Sequence, residues 1–189
     1  MARTRTRTVL FDRDSILADD TLDPDRLRPA PGAGEALGLL RLHGVRTGFL
    51  AVGKGARKDL SDADVRALNH RVDALLGPFD IRGVCPHGPD EHCHCRPPEP
   101  GLILWAAGRL CTAPADCAVV GTAADAEAAA RVGAHGILVP DERTRPEETA
   151  RAEQVAPDVL TAVRALLTGP PQGRVLVDER PIEEAFGDG

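Results

Sequence analysis

The sequence predicts an α/β fold, a parallel sheet flanked by helices, in one domain. Three observations predict it. Short apolar runs alternate with segments of helical periodicity, the pattern of strand–helix–strand units that build parallel sheets. The 189 residues, 42% apolar and 28% charged, suffice for one hydrophobic core without disulfides. The residues with chemistry to offer (Asp12, Asp14, Gly53, Lys54 and Thr122) directly follow apolar runs, and parallel sheets bind ligands at the carboxyl ends of their strands.

TVLF (8–11) reads as a short buried strand ending on charged residues. PGAGEALGLLRLHG (31–44) has apolar residues at helical spacing and a closing glycine, so it reads as a helix. VRTGFLAV (45–52) is a second strand. SDADVRALNHRVDALLG (61–77) starts on an N-cap serine and puts Val65, Leu68, Val72 and Leu75 on one face. PGLILWAAGRL (100–110) opens with proline, as first helical turns often do. CAVVG (117–121) is a third strand, DAEAAARVG (125–133) a helix and GILV (136–139) a fourth strand, and a last helix spans about 156–167. The domain is expected over 1–168, with 169–189 a Pro-, Gly- and acid-rich extension carrying one short edge strand at 174–178.

Charge and composition exclude several function classes. A net charge of −6 argues against non-specific nucleic-acid binding, which rewards the opposite sign. MARTRTRT is basic but lacks the apolar stretch of a signal peptide, and no run approaches the roughly 18 apolar residues of a membrane span. Cys111 and Cys117 read as buried thiols, and a reducing cytoplasm is the expected location.

The densest chemistry lies in CPHGPDEHCHC, which sets Cys85, His87, Cys93 and Cys95 at C-x-H-x5-C-x-C spacing. Thiolate and imidazole are the ligands of tetrahedral zinc, and three Cys with one His leave no open position, so a structural zinc ion is expected. A redox pair or loose surface cysteines are the competing readings. His92 and His94 share the loop and read as exposed residues. In VLFDRDSIL, Asp12 and Asp14 stand two residues apart where the first strand ends. One carboxylate there can attack phosphorus while the other handles the leaving-group proton, or the pair is only a solvated turn. GFLAVGKG (48–55) nearly spells a nucleotide-binding loop, but Gly55 replaces the magnesium hydroxyl and FLAV is strand-like.

With CRPPEPG following the cysteine cluster, residues 8–168 resemble the histidinol-phosphate and heptose bisphosphate phosphatase branch of the haloacid dehalogenase-like superfamily. FDRDSIL, RPAPGAGEAL, LNHRVDALL, CPHGPDEHCHCRPPEPG and VVGTAADAEAAARVGAHGILV carry the likeness. The resemblance implies a capless Rossmann-like fold, a magnesium cofactor, an aspartyl-phosphate intermediate and a small phosphorylated metabolite as substrate. Asp12 would be the nucleophile and Asp14 the acid/base, both with Asp125 around magnesium, while the zinc loop shapes the site.

The departures from that pattern concern the reactive centre. The family's Thr-Asn-type pair at the end of the second strand is Ala51-Val52, its Lys after C-R is Pro97, and a magnesium carboxylate is Thr122. Asp125 remains, one residue closer than usual. Arg96 and Lys54 are the cations left to approach a phosphate. Losing one preorganised donor commonly costs about 2.7–4 kcal/mol of transition-state stabilisation. Two functions are therefore expected to compete: a phosphomonoester hydrolase of strongly reduced activity, and an inactive pseudophosphatase that binds a ligand or protein partner.

Overall fold

The computed structural model describes residues 6–18, 23–53 and 61–168. Its centre is a parallel sheet of five strands: β1 (Thr8–Asp12), β2 (Arg46–Val52), β3 (Ile81–Cys85), β4 (Cys117–Gly121) and β5 (His135–Leu138). The spatial order is β3-β2-β1-β4-β5. The helices are α1 (Ala33–Leu42), α2 (Asp62–Leu76), α3 (Gly101–Arg109), α4 (Ala123–Arg131), α5 (Pro146–Arg151) and α6 (Val159–Thr168).

Side chains alternate along β1 and so divide the core between the two faces of the sheet. Val9 and Phe11 pack with Leu37 and Leu40 of α1, Leu68 and Val72 of α2, and Val159 and Val163 of α6. Leu10 points into a second cluster with Leu50, Leu102 and Ile103 of α3, and Ala128 and Ala129 of α4. Strands buried on both faces read as continuous apolar runs, which is why TVLF and CAVVG were legible.

β3 was not anticipated. It is one of the two edge strands, with buried Ile81 and Cys85 flanking an exposed Arg82 and a partly exposed Val84. Gly83 in its middle is closely packed: an added Cβ would sit 2.8 Å from Leu50 Cδ2 and 3.2 Å from the Trp105 ring, so those side chains would have to shift. That alternation is a half-buried strand signal hidden by its glycine and arginine.

Two further expectations are corrected. The helix expected at 125–133 begins at Ala123, because Thr122 caps it: its side chain accepts from Asp125 N while Asp125 reaches back to the cap. Cys111, expected to be buried, is exposed. It ends α3 in a left-handed conformation (φ 48°), with Thr112 N donating to Ala107 O at 2.9 Å. That is the helix-terminating geometry glycine usually occupies. The strand expected at 174–178 lies outside the described residues. No helix among the described residues is long and apolar enough to cross a membrane.

Candidate active site and metal centre

β1 is the central strand; the chain runs from it to β2 and β3 on one side, then crosses to β4 and β5 on the other. Such a reversal opens a crevice at the strands' carboxyl ends. Asp12, the last residue of β1, stands beside it, and Thr122 and Asp125 follow β4.

Asp12 and Asp125 are brought together by Gly121. A Cβ at Gly121 would lie 2.7 Å from Asp12 Cβ and 2.8 Å from Asp125 Oδ2, so only glycine lets the two acids share this space. Asp12 Oδ2 accepts from Ser15 N at 3.1 Å and Ser15 Oγ at 2.9 Å, which closes the turn after β1. Asp125 Oδ2 accepts from Thr122 N at 2.9 Å and Thr122 Oγ1 at 2.6 Å. Burial first, then the charges of Asp125 and Asp14, push the Asp12 carboxyl up to about 8. Burial likewise raises Asp125 against the opposing Thr122 hydrogen bonds. Acids held this way favour a cation among them.

Asp14 is placed differently. Its side chain is 52% exposed and its Oδ1 accepts from Arg13 Nε at 2.9 Å. Arg13 is itself buried, bonded through Nη1 to Asn69 Oδ1 of α2 at 3.2 Å and through its backbone N–H to Leu50 O at 2.8 Å. Sequence reading missed this Arg13–Asn69 anchor; a charged residue between two acids, at the end of a buried strand, was the available signal.

The positions where phosphate ligands were missed are apolar or committed. Ala51 is buried within β2, and Thr122 is the cap of α4. Arg96 has one guanidinium nitrogen, Nη1, buried with no hydrogen-bond partner among the described residues, an arrangement that an anion would satisfy. Lys54 lies outside the described residues.

The second centre is Cys85, His87, Cys93 and Cys95. One ligand atom from each lies within 4.8 Å of all the others, and no other such group of three or more occurs among the described residues. Cys85 Sγ is 3.6 Å from Cys93 Sγ and 3.1 Å from Cys95 Sγ, and His87 Nδ1 is 3.1 Å from Cys95 Sγ. A zinc tetrahedron with Zn–S bonds of about 2.3 Å has edges of about 3.7 Å, so this set fits one ion. Crowding points the same way. Burial and then the neighbouring thiols push Cys95 up to about 12, and a coordinated cation would stabilise the thiolates. His92 and His94 are exposed. Cys85 ends β3, and its carbonyl accepts from Gly53 N at 2.8 Å, which ties the loop to β2. Gly101 N donates to His94 O at 2.8 Å, and a Cβ there would collide with that oxygen. Glu99 bonds Arg131 of α4 at 2.8 Å, fastening the segment after the cluster to the helix that carries Asp125.

A five-stranded parallel sheet, an acid at the end of its central strand and a Cys/His loop after β3 are features this chain shares with HAD-type phosphatases. A HAD-hydrolase-like family model matches residues 94–166. The D-glycero-beta-D-manno-heptose-1,7-bisphosphate 7-phosphatase of Pseudomonas putida is 29% identical over 174 residues, spanning 85% of this chain and 99% of that protein. The crystal structure of D,D-heptose 1,7-bisphosphate phosphatase from Bordetella bronchiseptica, complexed with magnesium and phosphate, superposes with a TM-score of 0.74 at 26% identity, over 86% of this chain and 98% of that one. The Burkholderia thailandensis structure of D,D-heptose 1,7-bisphosphate phosphatase, 24% identical, shares the fold with a TM-score of 0.62, over 86% and 99% of the two chains. The family model, the relatives and the superposition all point to the haloacid dehalogenase-like superfamily and, within it, to the heptose bisphosphate phosphatases as the proteins this chain is similar to.

Proposed function

We propose that this chain is a phosphomonoester hydrolase of strongly reduced activity towards a small phosphorylated sugar. The observation that carries the reading is Asp12 at the end of the central strand, facing Asp125 across Gly121. In the proposed reaction an Asp12 carboxylate oxygen attacks phosphorus, the P–O bond to the sugar breaks, and Asp14 gives its proton to the departing alcohol. Water then attacks the aspartyl phosphate while Asp14 takes back a proton, releasing phosphate and restoring Asp12. Asp12 and Asp125 are the residues that would hold magnesium, with Asp14, which is paired with Arg13, proposed as a third. Bound there, magnesium would neutralise these acids and the phosphoryl oxygens. Arg96 and Lys54 are proposed as phosphate-binding cations, the unpartnered Arg96 Nη1 supporting the first. Zinc at Cys85, His87, Cys93 and Cys95 would be structural. A substrate of this class and the reduced cysteine cluster fit a cytoplasmic setting. The sugar is suggested by the names of the relatives above.

A specific set of observations favours the second reading, a pseudophosphatase that binds a ligand or protein partner without turnover. Asp14 is paired with Arg13, both Thr122 hydrogen bonds fall on one oxygen of Asp125, and Ala51 and Pro97 offer no donor.

Phosphate release from a panel of sugar, amino-alcohol and nucleotide phosphates with magnesium distinguishes the two. Slow release abolished by Asp12→Asn is expected. Release that is absent, or that survives Asp12→Asn, overturns the enzymatic reading. The combined replacement Ala51→Thr, Pro97→Lys and Thr122→Asp should raise the rate by about two decades or more, each restored group being worth roughly 10²–10³ at most and their effects overlapping.

A further inference from the structure

At the end of the sheet opposite Asp12, where β1 and β2 begin, an open groove of about 590 Å³ is lined by Arg7, His43, Arg46, Leu110 and Cys111, among others. Its lining holds three basic side chains and no acidic one, in a chain whose net charge is −6. Arg46 donates to Leu110 O and Thr112 Oγ1, both neutral, so its charge is not neutralised there. Arg7 forms no ion pair among the described residues. Two acids at the same end do not line the groove: Asp80 takes the Thr47 N–H at 2.7 Å, and Asp116 meets Arg7 only through its backbone carbonyl.

The chain itself carries the opposite charge to this place. Leu160 Cβ lies 3.0 Å from the Cβ position of Gly32, and Arg164 Nη2 bonds Glu35 Oε1 at 2.7 Å. The two contacts advance together along both helices, so α6 runs parallel to α1. It therefore ends at Thr168 beside the last turn of α1, which His43 caps. Residues 169–189 follow, and they include Asp178, Glu179, Glu183 and Glu184 around a single Arg180. The ten residues from Thr168 to Asp178 can span on the order of 30 Å, several times the length of a helical turn.

We propose that the groove is the docking surface of this chain's own acidic segment, residues 178–184 (DERPIEE), within one molecule. Ion pairs at an open groove are individually weak, but tethering raises the effective concentration of the segment, and salt screens the attraction.

Cys111 reports on the groove because it lines it and is exposed, whereas Cys117 is buried. Labelling of the full chain with N-ethylmaleimide, a neutral reagent, would be followed at the Cys111 peptide by mass spectrometry. Combined Asp178→Asn, Glu179→Gln, Glu183→Gln and Glu184→Gln substitutions should accelerate labelling about fivefold, and Arg7→Gln should accelerate it in the same direction, with both differences lost in high salt. Separately, mild oxidation of a Glu183→Cys variant should give a disulfide between Cys111 and the introduced thiol within a monomer. Equal low-salt labelling rates in the parent and the neutralised chain, together with no such disulfide, would overturn the proposal. So would protection that grows with protein concentration, which would mean that a second copy supplies the segment.

Discussion

Asp12 illustrates how little a residue's type says about its chemistry until its neighbours are known. A carboxyl pushed up to about 8 by burial, and then by Asp125 and Asp14, is far from its ordinary value of 3.8. Because the folded value is the raised one, the folded state holds a proton that the unfolded chain has already released between these values. Stability from this group is therefore fully present below about pH 4 and is lost as pH rises through about 8. Metal-free protein should show a thermal midpoint that falls across that window, with a shallower fall in Asp12→Asn. Magnesium should restore the wild-type midpoint near neutral pH and leave the Asn variant less changed, since ligand binding to the native state stabilises it. Scanning calorimetry at several pH values, with and without magnesium, checks both; a midpoint that does not fall between pH 4 and 8 contradicts the reading. Asp12 was legible as a strand-end acid. Its crowding by Asp125 was not, because it depends on Gly121 bringing β4 close to β1.

At the scale of the element, α4 shows a structural task standing where a reactive one was expected. Thr122 replaces a carboxylate and caps the helix, and Asp125, three residues on, completes the reciprocal box. The pair satisfies backbone donors that a helix start otherwise leaves open. Thr122→Ala should cost about 1 kcal/mol of stability, whereas Thr122→Asp, which keeps a capping oxygen, should cost much less on the cap alone. Urea unfolding of the three proteins measures this. Equal stability of Ala and Thr at 122 would mean that the cap contributes nothing. The capping pair stands in the sequence as T-x-x-D, where the same two positions also fall on the magnesium motif of the resembled family. β3 failed for another reason. An edge strand is apolar on one side only, and here Gly83 and Arg82 interrupt even that.

For the whole molecule, the Cys/His loop joins pieces that the sheet leaves separate. It starts at the end of β3, bonds to β2 through Gly53, seats the start of α3 through Gly101 and is fastened to α4 through Glu99 and Arg131. Zinc in such a loop would contribute to folding directly, because the unfolded chain has no preformed site. Purified protein should carry about one equivalent of zinc, by the closed four-ligand chemistry. Chelation should lower the thermal midpoint, and Cys93→Ser should lower both zinc content and midpoint. Metal analysis paired with thermal unfolding tests this, and zinc well below one half equivalent, unchanged by Cys93→Ser, would count against a zinc centre.

The sequence by itself determined the alternation of strands and helices, the four-ligand set at 85–95 and the acids at the end of the first strand. All of these are encoded locally, by periodicity of apolar residues or by ligand types within one loop. Only the tertiary structure decided which of the acids meet. It set Asp125 against Asp12, turned Asp14 to Arg13, and anchored Arg13 on Asn69, 56 residues away. It also gathered Arg7, His43 and Arg46 into one basic groove. These contacts join separate strands and helices, and their geometry is fixed by sheet order and packing, which no local pattern records.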